Sequence, residues 1–527
     1  MRLSVLSAAL AVTLLATAAP AQSTDPAYAS LAQLQQAMRE GTLSSHTLVQ
    51  QSLDRIERID RHGPTLRAVI ETNPDALALA TRADDARVQT AKPGLLYGIP
   101  VLLKDNVDTG DRMLTTAGSL ALADAPAPHD APLVAKLRAA GAIILGKTNL
   151  SEWANYRSTH ASSGWSGRGG QTRNPYALDR NPCGSSAGSG AAVAAGLAPV
   201  AIGTETDGSI ICPSASNGLV GIKPTLGLVS RSGIVPISHN QDTAGPMARS
   251  VADAAALLSV IAGSDPGDPA TKDADRHATD YTRFLDANAL RGKHIGVVRA
   301  LVGAEPNADR ALEQAIAVMK AQGAIIVDPV TLPHLDELGE PEGTVLSYDF
   351  KHDINAYLAT RTGLKVKTLA DLIAFNAAHA EQEMPWFAQE LFEQSQARGP
   401  LTDKAYLTAQ AKAKRLAGPE GIDAALAKHH LDALLAPSSG PAFMTDPVLG
   451  DHIVGGGATE PAAVAGYPSI TVPASFAHGL PVGIVLFGAK WSEPTLIGIA
   501  YGFEQHTHAL QAPRFLDTVG GTPQLAH

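Results

Sequence analysis

Cysteine is scarce in this chain, and its interior contains neither a block of like charge nor a long apolar run. Only Cys183 and Cys212 occur among 527 residues, which excludes a disulfide-rich scaffold. A single bridge between them and two buried free thiols are both compatible with the sequence. The net charge of −10 is spread out without a basic cluster, so nucleic acid is not an expected partner. No run after residue 21 could span a bilayer, so no stable membrane association is expected.

The first 21 residues differ in composition from the rest of the chain. Arg2 is followed by the apolar stretch Leu3–Ala18 and then by Ala19-Pro20-Ala21, a small-x-small cleavage pattern. Because the apolar stretch is short and rich in small residues, the pattern predicts a secretory signal peptide rather than an uncleaved anchor. We therefore expect cleavage near Ala21 and an exported chain over residues 22–527, periplasmic or extracellular.

Strand and helix patterns alternate along the remaining chain, which predicts an α/β fold with helices packed outside a sheet. Residues 294–330 read as strand, helix and strand, a unit that indicates parallel pairing. Residues 344–430 are mainly helical and are expected to cover the core and form a wall over the site. Further strands are predicted at 68–70, 98–106, 142–147, 200–202, 219–222, 226–230, 433–436, 469–473 and 482–487.

Residues 181–213 contain two glycine-flanked serine sites, joined by a small-residue run that is compatible with a helix and by a short strand. Ser185 and Ser186 lie in the first glycine loop and Ser209 lies in the second. Glycine permits tight turns and lets a ligand approach backbone N–H groups closely. The two loops therefore predict a functional site.

One motif match is misleading. Gly141–Thr148, GAIILGKT, satisfies the G-x-x-x-x-G-K-[ST] pattern of phosphate-binding loops. That chemistry requires the four middle residues to form a loop, whereas Ala-Ile-Ile-Leu favours a strand that would use its N–H groups within a sheet. Nucleotide binding is therefore not expected, and neither a cofactor nor a metal is predicted.

Two serine mechanisms compete in this stretch. Gly184–Gly188 matches the G-x-S-x-G nucleophile elbow of α/β-hydrolases, with Ser186 as the nucleophile of an esterase. The elbow requires a hydrophobic strand directly before it, whereas Leu178–Pro182 is polar and contains proline. In the second mechanism Ser209 is the nucleophile and consecutive backbone N–H groups form an oxyanion hole. Those groups belong to Thr206, Asp207, Gly208 and Ser209.

A serine nucleophile needs a base, and no histidine occurs between residues 161 and 238 to supply one locally. Lys104 lies near the end of the apolar run 98–106. A lysine there either extends to solvent or is held inside, where burial lowers its pKa and makes it usable as a base. A buried neutral lysine could act on Ser209 through a second hydroxyl group.

Taken together, these motifs resemble the amidase signature family. The resemblance spans roughly Leu31 to Gln505 and implies a single large domain. The implied fold is a large mixed, twisted β-sheet covered by α-helices, with a signature core at about residues 98–260. The sequence is most similar to bacterial peptide amidases, which hydrolyse the C-terminal amide of peptides. The segments that carry the resemblance, in order, are GIPVLLKDN, GKTNLSEWAN, GGQTRNP, CGSSAGSGAAVAAG, GTETDGSIICPSASNGLVGIKPTLGLVSRSGIVP, QDTAGPMARSVADAA and AGYPSITVP.

By position, the resemblance implies that Lys104 is the catalytic base, Ser185 the bridging serine and Ser209 the acylated nucleophile. It also implies a cis peptide bond between Gly184 and Ser185, with Gly184 and Ser186 supporting the loop. The implied reaction is amide hydrolysis through an acyl-enzyme with release of ammonia. A peptide or small-molecule amide is thus the expected partner, and a monomer is compatible with the sequence.

Four positions depart from the commoner family pattern. Cys183 replaces the first glycine of a Gly-Gly-Ser-Ser loop, and Glu205, Asp207 and Ile211 stand where Asp, Gly and Arg are usual. Loss of the arginine argues against the glutaminase component of a transamidosome. Amidases of other small acyl, aryl or fatty amides are the alternative. A non-catalytic binding protein is disfavoured because Lys104 and both serines of the implied set are intact.

Overall fold

The computed structural model describes residues 25–90, 92–455 and 457–524, so the predicted signal peptide lies outside the described residues. The described chain forms one 11-stranded sheet and a separate two-stranded hairpin. The strands are β1 (Val69–Thr72), β2 (Pro100–Lys104), β3 (Ile143–Thr148), β4 (Trp165–Ser166), β5 (Gly170–Gln171), β6 (Val200–Glu205), β7 (Val220–Lys223), β8 (Thr243–Ala248), β9 (His294–Val297), β10 (Ile325–Val327), β11 (Ala433–Pro437), β12 (Ser469–Ala477) and β13 (Leu480–Phe487).

Helices cover both faces of the sheet. Among the described residues, no helix combines the length and apolar character that crossing a membrane requires. The α-helices are α1 (Leu31–Arg39), α2 (Ser45–Arg55), α3 (Ala76–Arg87), α4 (Pro132–Ala139), α5 (Ala187–Ala194), α6 (Ile211–Ser216), α7 (Val251–Ile261), α8 (Pro306–Ala321), α9 (Gly339–Thr360), α10 (Leu369–Ala378), α11 (Ala380–Glu383), α12 (Glu390–Gln396), α13 (Lys404–Ala417), α14 (Ala424–His429), α15 (Glu460–Ala465) and α16 (Glu493–Thr507).

The large sheet is mixed, with strand order β1-β3-β2-β6-β8-β7-β12-β13-β11-β9-β10. The β2 strand pairs in parallel with β3 and β6, and β9 pairs in parallel with β10 and β11. The remaining pairs are antiparallel. This confirms the mixed sheet covered by helices in a single domain, and β9-α8-β10 confirms the predicted parallel unit.

The β2 strand is buried on both faces, which explains its continuous apolar sequence. Val101 and Leu103 belong to the hydrophobic cluster that also contains α7. Leu102 belongs instead to the cluster that contains the alanines of α5. Because strand side chains alternate between faces, the register of β2 decides on which face of the sheet Lys104 lies.

Two strand assignments in the large sheet differ from the sequence-based expectation, and the short hairpin strands β4 and β5 were not predicted. Residues 226–230 form a turn rather than a strand, because Leu226 and Leu228 donate their amides to Gly466 and Thr225 and not to a ladder. The strand β8, which pairs with both β6 and β7, was missed because Gly245 and Pro246 interrupt its pattern. The Gly141–Thr148 motif contains the buried strand β3, so its middle residues form no phosphate-binding loop.

Cys183 and Cys212 form a disulfide, which resolves the alternative that the sequence left open. Their Cα atoms are 5.6 Å apart and the cysteines are 29 positions apart in the chain. Cys183 precedes the loop that leads into α5, and Cys212 lies in α6. The bridge therefore ties together the segments that contain Ser185 and Ser209.

We predict that Cys183→Ala/Cys212→Ala lowers the free energy of unfolding by about 3–4 kcal/mol, the loop-entropy value for a crosslink of this span. Guanidinium unfolding monitored by circular dichroism measures the change. Reduced wild-type protein is the matched control and should unfold at the same midpoint as the double variant. An unchanged midpoint in both samples would contradict the prediction.

Candidate active site

Lys104 is the last residue of β2 and is fully buried. Of the two positions that the sequence allowed, its side chain therefore takes the one inside the protein and does not extend to solvent. Its Nζ lies 2.7 Å from the Ser185 hydroxyl oxygen. Thr204, near the end of the neighbouring strand β6, presents its hydroxyl oxygen at 2.8 Å and its carbonyl oxygen at 3.2 Å. The parallel β2–β6 pairing thus places the amine beside the first serine loop.

Burial lowers the pKa of Lys104 to about 7, because a charged amine loses its hydration inside the protein. The negative charges of Asp242 and Glu205 oppose this shift but do not cancel it. A substantial fraction of the amine is therefore uncharged near neutral pH and able to accept a proton.

The structure brings both serine loops together. The backbone N–H of Ser185 donates to the Ser209 hydroxyl oxygen at 3.3 Å, and the N–H of Ser186 donates to the Ser209 carbonyl at 3.3 Å. Ser185 is 1% exposed and Ser209 is 9% exposed. No direct hydrogen bond joins the Ser185 and Ser209 hydroxyl groups among the described contacts. The three predicted residues are thus contiguous, with Ser209 the most open to solvent.

The peptide bond between Gly184 and Ser185 is trans, so the expectation of a cis bond here was wrong. Within the described chain the cis bond lies between Asp328 and Pro329. Gly184 instead turns the chain with a φ of +62°, a conformation that glycine adopts without a steric penalty. A Cβ atom at Gly184 would lie 2.7 Å from Pro213, so close packing of the two loops also requires glycine here.

The Ser186 hydroxyl is fully buried and already takes part in two hydrogen bonds. It donates to the Thr204 carbonyl at 3.0 Å and accepts from the Thr204 N–H at 3.1 Å. Ser189 is held similarly, since its hydroxyl donates to the Ile202 carbonyl at 3.0 Å. These contacts fasten the start of α5 to β6, a supporting arrangement that leaves Ser186 poorly placed to attack a substrate.

The segment 206–209 turns sharply after β6, with Gly208 at a φ of +76°. Within the described chain, the amides of Asp207, Gly208 and Ser209 donate to no protein acceptor outside regular secondary structure. The next two amides, of Ile210 and Ile211, both donate to the Glu205 carboxylate, at 2.7 and 2.9 Å. Consecutive free amides beside a serine can bind a developing oxyanion.

Sequence reasoning missed the roles of Thr204 and Glu205. Thr204 contacts Lys104 and receives a hydrogen bond from the Asn106 side chain at 3.0 Å. Glu205 fixes the turn that carries Ser209 by accepting the first amides of α6. Both residues lie close to Ser209 in sequence, yet their contacts depend on three-dimensional pairing. The available signal was only the presence of polar residues at the end of an apolar strand.

Acidic side chains border the 206–209 segment. Asp207 is open to solvent on one side but recessed among protein atoms, and this burial raises its pKa to about 7. Burial and the nearby Asp207 charge raise the pKa of Glu342, on α9, well above its ordinary value. Gln241 bridges the two elements, because its amide donates to Glu342 at 2.7 Å and to the Thr206 carbonyl at 3.3 Å. The covering helix α9 therefore contacts this segment.

One group of potential metal ligands occurs within the described ranges, formed by His239, His352 and Asp353, with donor atoms within 4.8 Å of one another. The Nδ1 atoms of the two histidines lie 2.9 and 2.8 Å from the Asp353 carboxylate. The cluster shares no residue with the serine loops. Lys104, Ser185 and Ser209 are surrounded by hydroxyl, amide and carbonyl groups, an arrangement suited to acyl transfer by a serine.

Comparisons with known proteins agree with this arrangement. Residues 47–497 match the family model described as Amidase. The native peptide amidase from Stenotrophomonas maltophilia is 53% identical in sequence and superposes with a TM-score of 0.88, covering 92% of this chain and 98% of that one. A probable amidase of Arabidopsis thaliana is 41% identical over 93% of this chain and 92% of its own. A glutamyl-tRNA(Gln) amidotransferase component from Carboxydothermus hydrogenoformans is 35% identical over 91% and 97%.

The family match covers most of the sequence, and the relatives align over nearly their full lengths. The chain therefore belongs to the amidase family and is a hydrolase acting on C–N amide bonds.

Proposed function

We propose that this enzyme removes the C-terminal amide of peptides with release of ammonia, using Ser209 as nucleophile, Ser185 as proton carrier and Lys104 as base. The observation that carries the chemistry is the buried Lys104 amine 2.7 Å from the Ser185 hydroxyl oxygen. The peptide amide substrate is supported by likeness to the peptide amidase from Stenotrophomonas maltophilia.

The contacts of Lys104 suit a neutral amine. A neutral amine has two N–H donors and one lone pair, and the two Thr204 oxygens at 2.8 and 3.2 Å can accept the donors. The lone pair is then free to accept the Ser185 hydroxyl proton across the 2.7 Å contact. A protonated lysine would instead use this position to donate, and Ser185 could not pass a proton to it.

In the proposed reaction, Ser209 Oγ attacks the amide carbonyl carbon while its proton moves to Ser185 Oγ and the Ser185 proton moves to Lys104. The hydroxyl groups must approach hydrogen-bond distance for this step, and catalytic contacts often tighten only when substrate binds. The new oxyanion would accept hydrogen bonds from the amides of residues 206–209. The C–N bond breaks as the nitrogen takes a proton back through Ser185. Water then hydrolyses the ester by the same route and releases the carboxylic acid.

We also propose that the enzyme acts outside the cytoplasm, with residues 1–21 as a signal peptide and residues 22–527 as the amidase domain. The first segment has a charged residue, then an apolar stretch and then small residues, and this order supports the proposal. The disulfide between Cys183 and Cys212 supports it further, because such bonds persist in oxidising compartments.

The substrate prediction is tested by ammonia release from three sets of compounds at equal concentration: peptide amides, free amino-acid amides and aryl amides. We expect kcat/KM for the peptide amides to be at least about tenfold higher, because only they offer further residues whose binding energy can be used outside the serine loops. Mass spectrometry of the product checks that only the terminal amide is lost. A preference for aryl amides would contradict the proposal and favour an amidase of small acyl or aryl amides.

The nucleophile is tested with Ser209→Ala and Ser186→Ala. We expect Ser209→Ala to reduce ammonia release by about 10³-fold or more, since the substitution removes the proposed nucleophile itself. Mass spectrometry should locate the acyl adduct of an amide-type electrophile on Ser209. Ser186→Ala should cost stability and some activity by loosening Thr204, while still forming the adduct. Activity that survives Ser209→Ala but not Ser186→Ala would favour the hydrolase elbow.

The base is tested by the pH dependence of kcat/KM. Lys104 must be neutral, so the rate should rise with pH through a pKa of about 7 and level off above it. Stability should shift in the same direction, because the unfolded lysine keeps its proton up to about pH 10.5 while the folded one releases it near 7. Through Lys104, the free energy of unfolding therefore increases as the pH rises from 7 to 10.5.

Lys147 provides a matched control, because it is equally buried but contacts the Val107 carbonyl and the Thr115 hydroxyl rather than a serine of the site. We expect Lys104→Met to lose about 10²–10⁴-fold in activity. For Lys147→Met, kcat/KM should still rise with pH through about 7, as it does in the wild-type enzyme. An unaltered pH profile in Lys104→Met would rule out this lysine as the base.

A further inference from the structure

Exposed apolar side chains are concentrated in residues 444–454, which lie in the connection between β11 and α15. Five large hydrophobic side chains here are each about half or more exposed, with Val448 at 69% and Leu449 at 64%. They are five of the eleven exposed large hydrophobics among the described residues. The five are Met444, Val448, Leu449, Ile453 and Val454. We call residues 444–454 the apolar loop.

The apolar loop begins beside the first serine loop. The Phe443 carbonyl accepts from the Asn181 N–H at 2.8 Å, and Met444 forms an isolated bridge with Arg180. The Asn181 side chain in turn accepts from the N–H of Cys183 at 2.8 Å. Two residues further on is Ser185, so the start of the apolar loop is tied to the segment that positions the proposed proton carrier.

The chain that follows the apolar loop reaches the second serine loop. Thr459 faces Gly208, where an added Cβ atom would lie 3.3 Å from the threonine hydroxyl. Burial raises the pKa of Asp207, and the Thr459 side chain opposes this rise. The two ends of this connection, at Phe443 and Thr459, therefore lie beside the first and the second serine loop.

The centre of the apolar loop is held in place by polar contacts. Asp451 accepts from the Ser163 N–H at 2.8 Å and from the Ser163 hydroxyl at 2.5 Å. The Ser163 carbonyl accepts from the Asn181 side chain at 2.9 Å, which links this anchor back to the first serine loop. These contacts fix the backbone while the apolar side chains remain in water, an unfavourable arrangement unless a ligand covers them.

We propose that the apolar loop is the binding surface for apolar side chains on the acyl side of a peptide amide, the residues that precede the terminal amide. This inference rests on the proposed function, since it assigns the direction in which that substrate extends from Ser209. The terminal amide reaches Ser209, bordered by Asp207 and Glu342, and the preceding residues extend along the loop. The enzyme therefore selects peptide amides with apolar residues before the amide.

The test compares wild-type enzyme with Val448→Ser/Leu449→Ser on three substrates. One is an N-acetyl amino-acid amide, which has no residue before the terminal one, and the others are tetrapeptide amides with leucine or with serine before a common terminal residue. We expect wild type to prefer the leucine peptide by about tenfold or more in kcat/KM. The double variant should lose that preference, mainly through KM, and keep its rate on the short amide.

Val88→Ser is the matched control, because Val88 is 91% exposed and follows α3. It should keep the wild-type preference. Equal rates of wild type on the leucine and serine peptides, or an unchanged preference in the double variant, would overturn the inference while ammonia release from peptide amides still supported the proposed function. No ammonia from any peptide amide would overturn both.

Sedimentation and vesicle binding complete the test. If the double variant changed self-association or membrane binding while its substrate selectivity stayed intact, the loop would be assigned to a second copy or a lipid surface instead.

Discussion

The site depends on one buried contact, between the Lys104 amine and the Ser185 hydroxyl. A lysine in the interior is costly when charged, and its position at the end of a strand buried on both faces keeps water away. Thr204 supplies the two oxygens that satisfy the amine, so the lysine is both desolvated and oriented. Because β2 lies between β3 and β6, the same pairing that builds the sheet sets the distance to the first serine loop.

The second requirement is that the two serine loops, which are separated in sequence, keep a fixed position relative to each other. The Cys183–Cys212 disulfide, the Ser186 amide bonded to Ser209 and the Glu205 carboxylate bonded to the start of α6 all act on this pair of loops. None of these groups would react with substrate. In the proposed mechanism, their effect is to hold Ser209 and the free amides in place before substrate arrives, so that little reorganisation is needed during the reaction.

The sequence allowed the α/β class, the parallel β9-α8-β10 unit and the approach of Lys104 to Ser185 to be predicted, the last through family resemblance. These features have strong local patterns or lie in motifs shared with the family. The strand β8 was missed because its pairing with β6 and β7 outweighs the presence of Gly245 and Pro246. Thr204 and Glu205 were missed because their partners come from other elements. The expected cis bond at Gly184 was not found, since a left-handed glycine makes the turn there.

The proposed chemistry and the proposed substrate choice are placed on different parts of the chain. Lys104, both serines and the free amides lie between residues 104 and 209, whereas Glu342 and the apolar loop come from the covering elements. The family includes both amidases and an amidotransferase component, so membership alone does not decide the substrate. Gln241 joins the two parts, because its side chain bonds both Glu342 and the Thr206 carbonyl. A substrate that displaces Glu342 would therefore also shift the segment that we propose holds the oxyanion, which would couple binding on the covering elements to the rate of the chemical step.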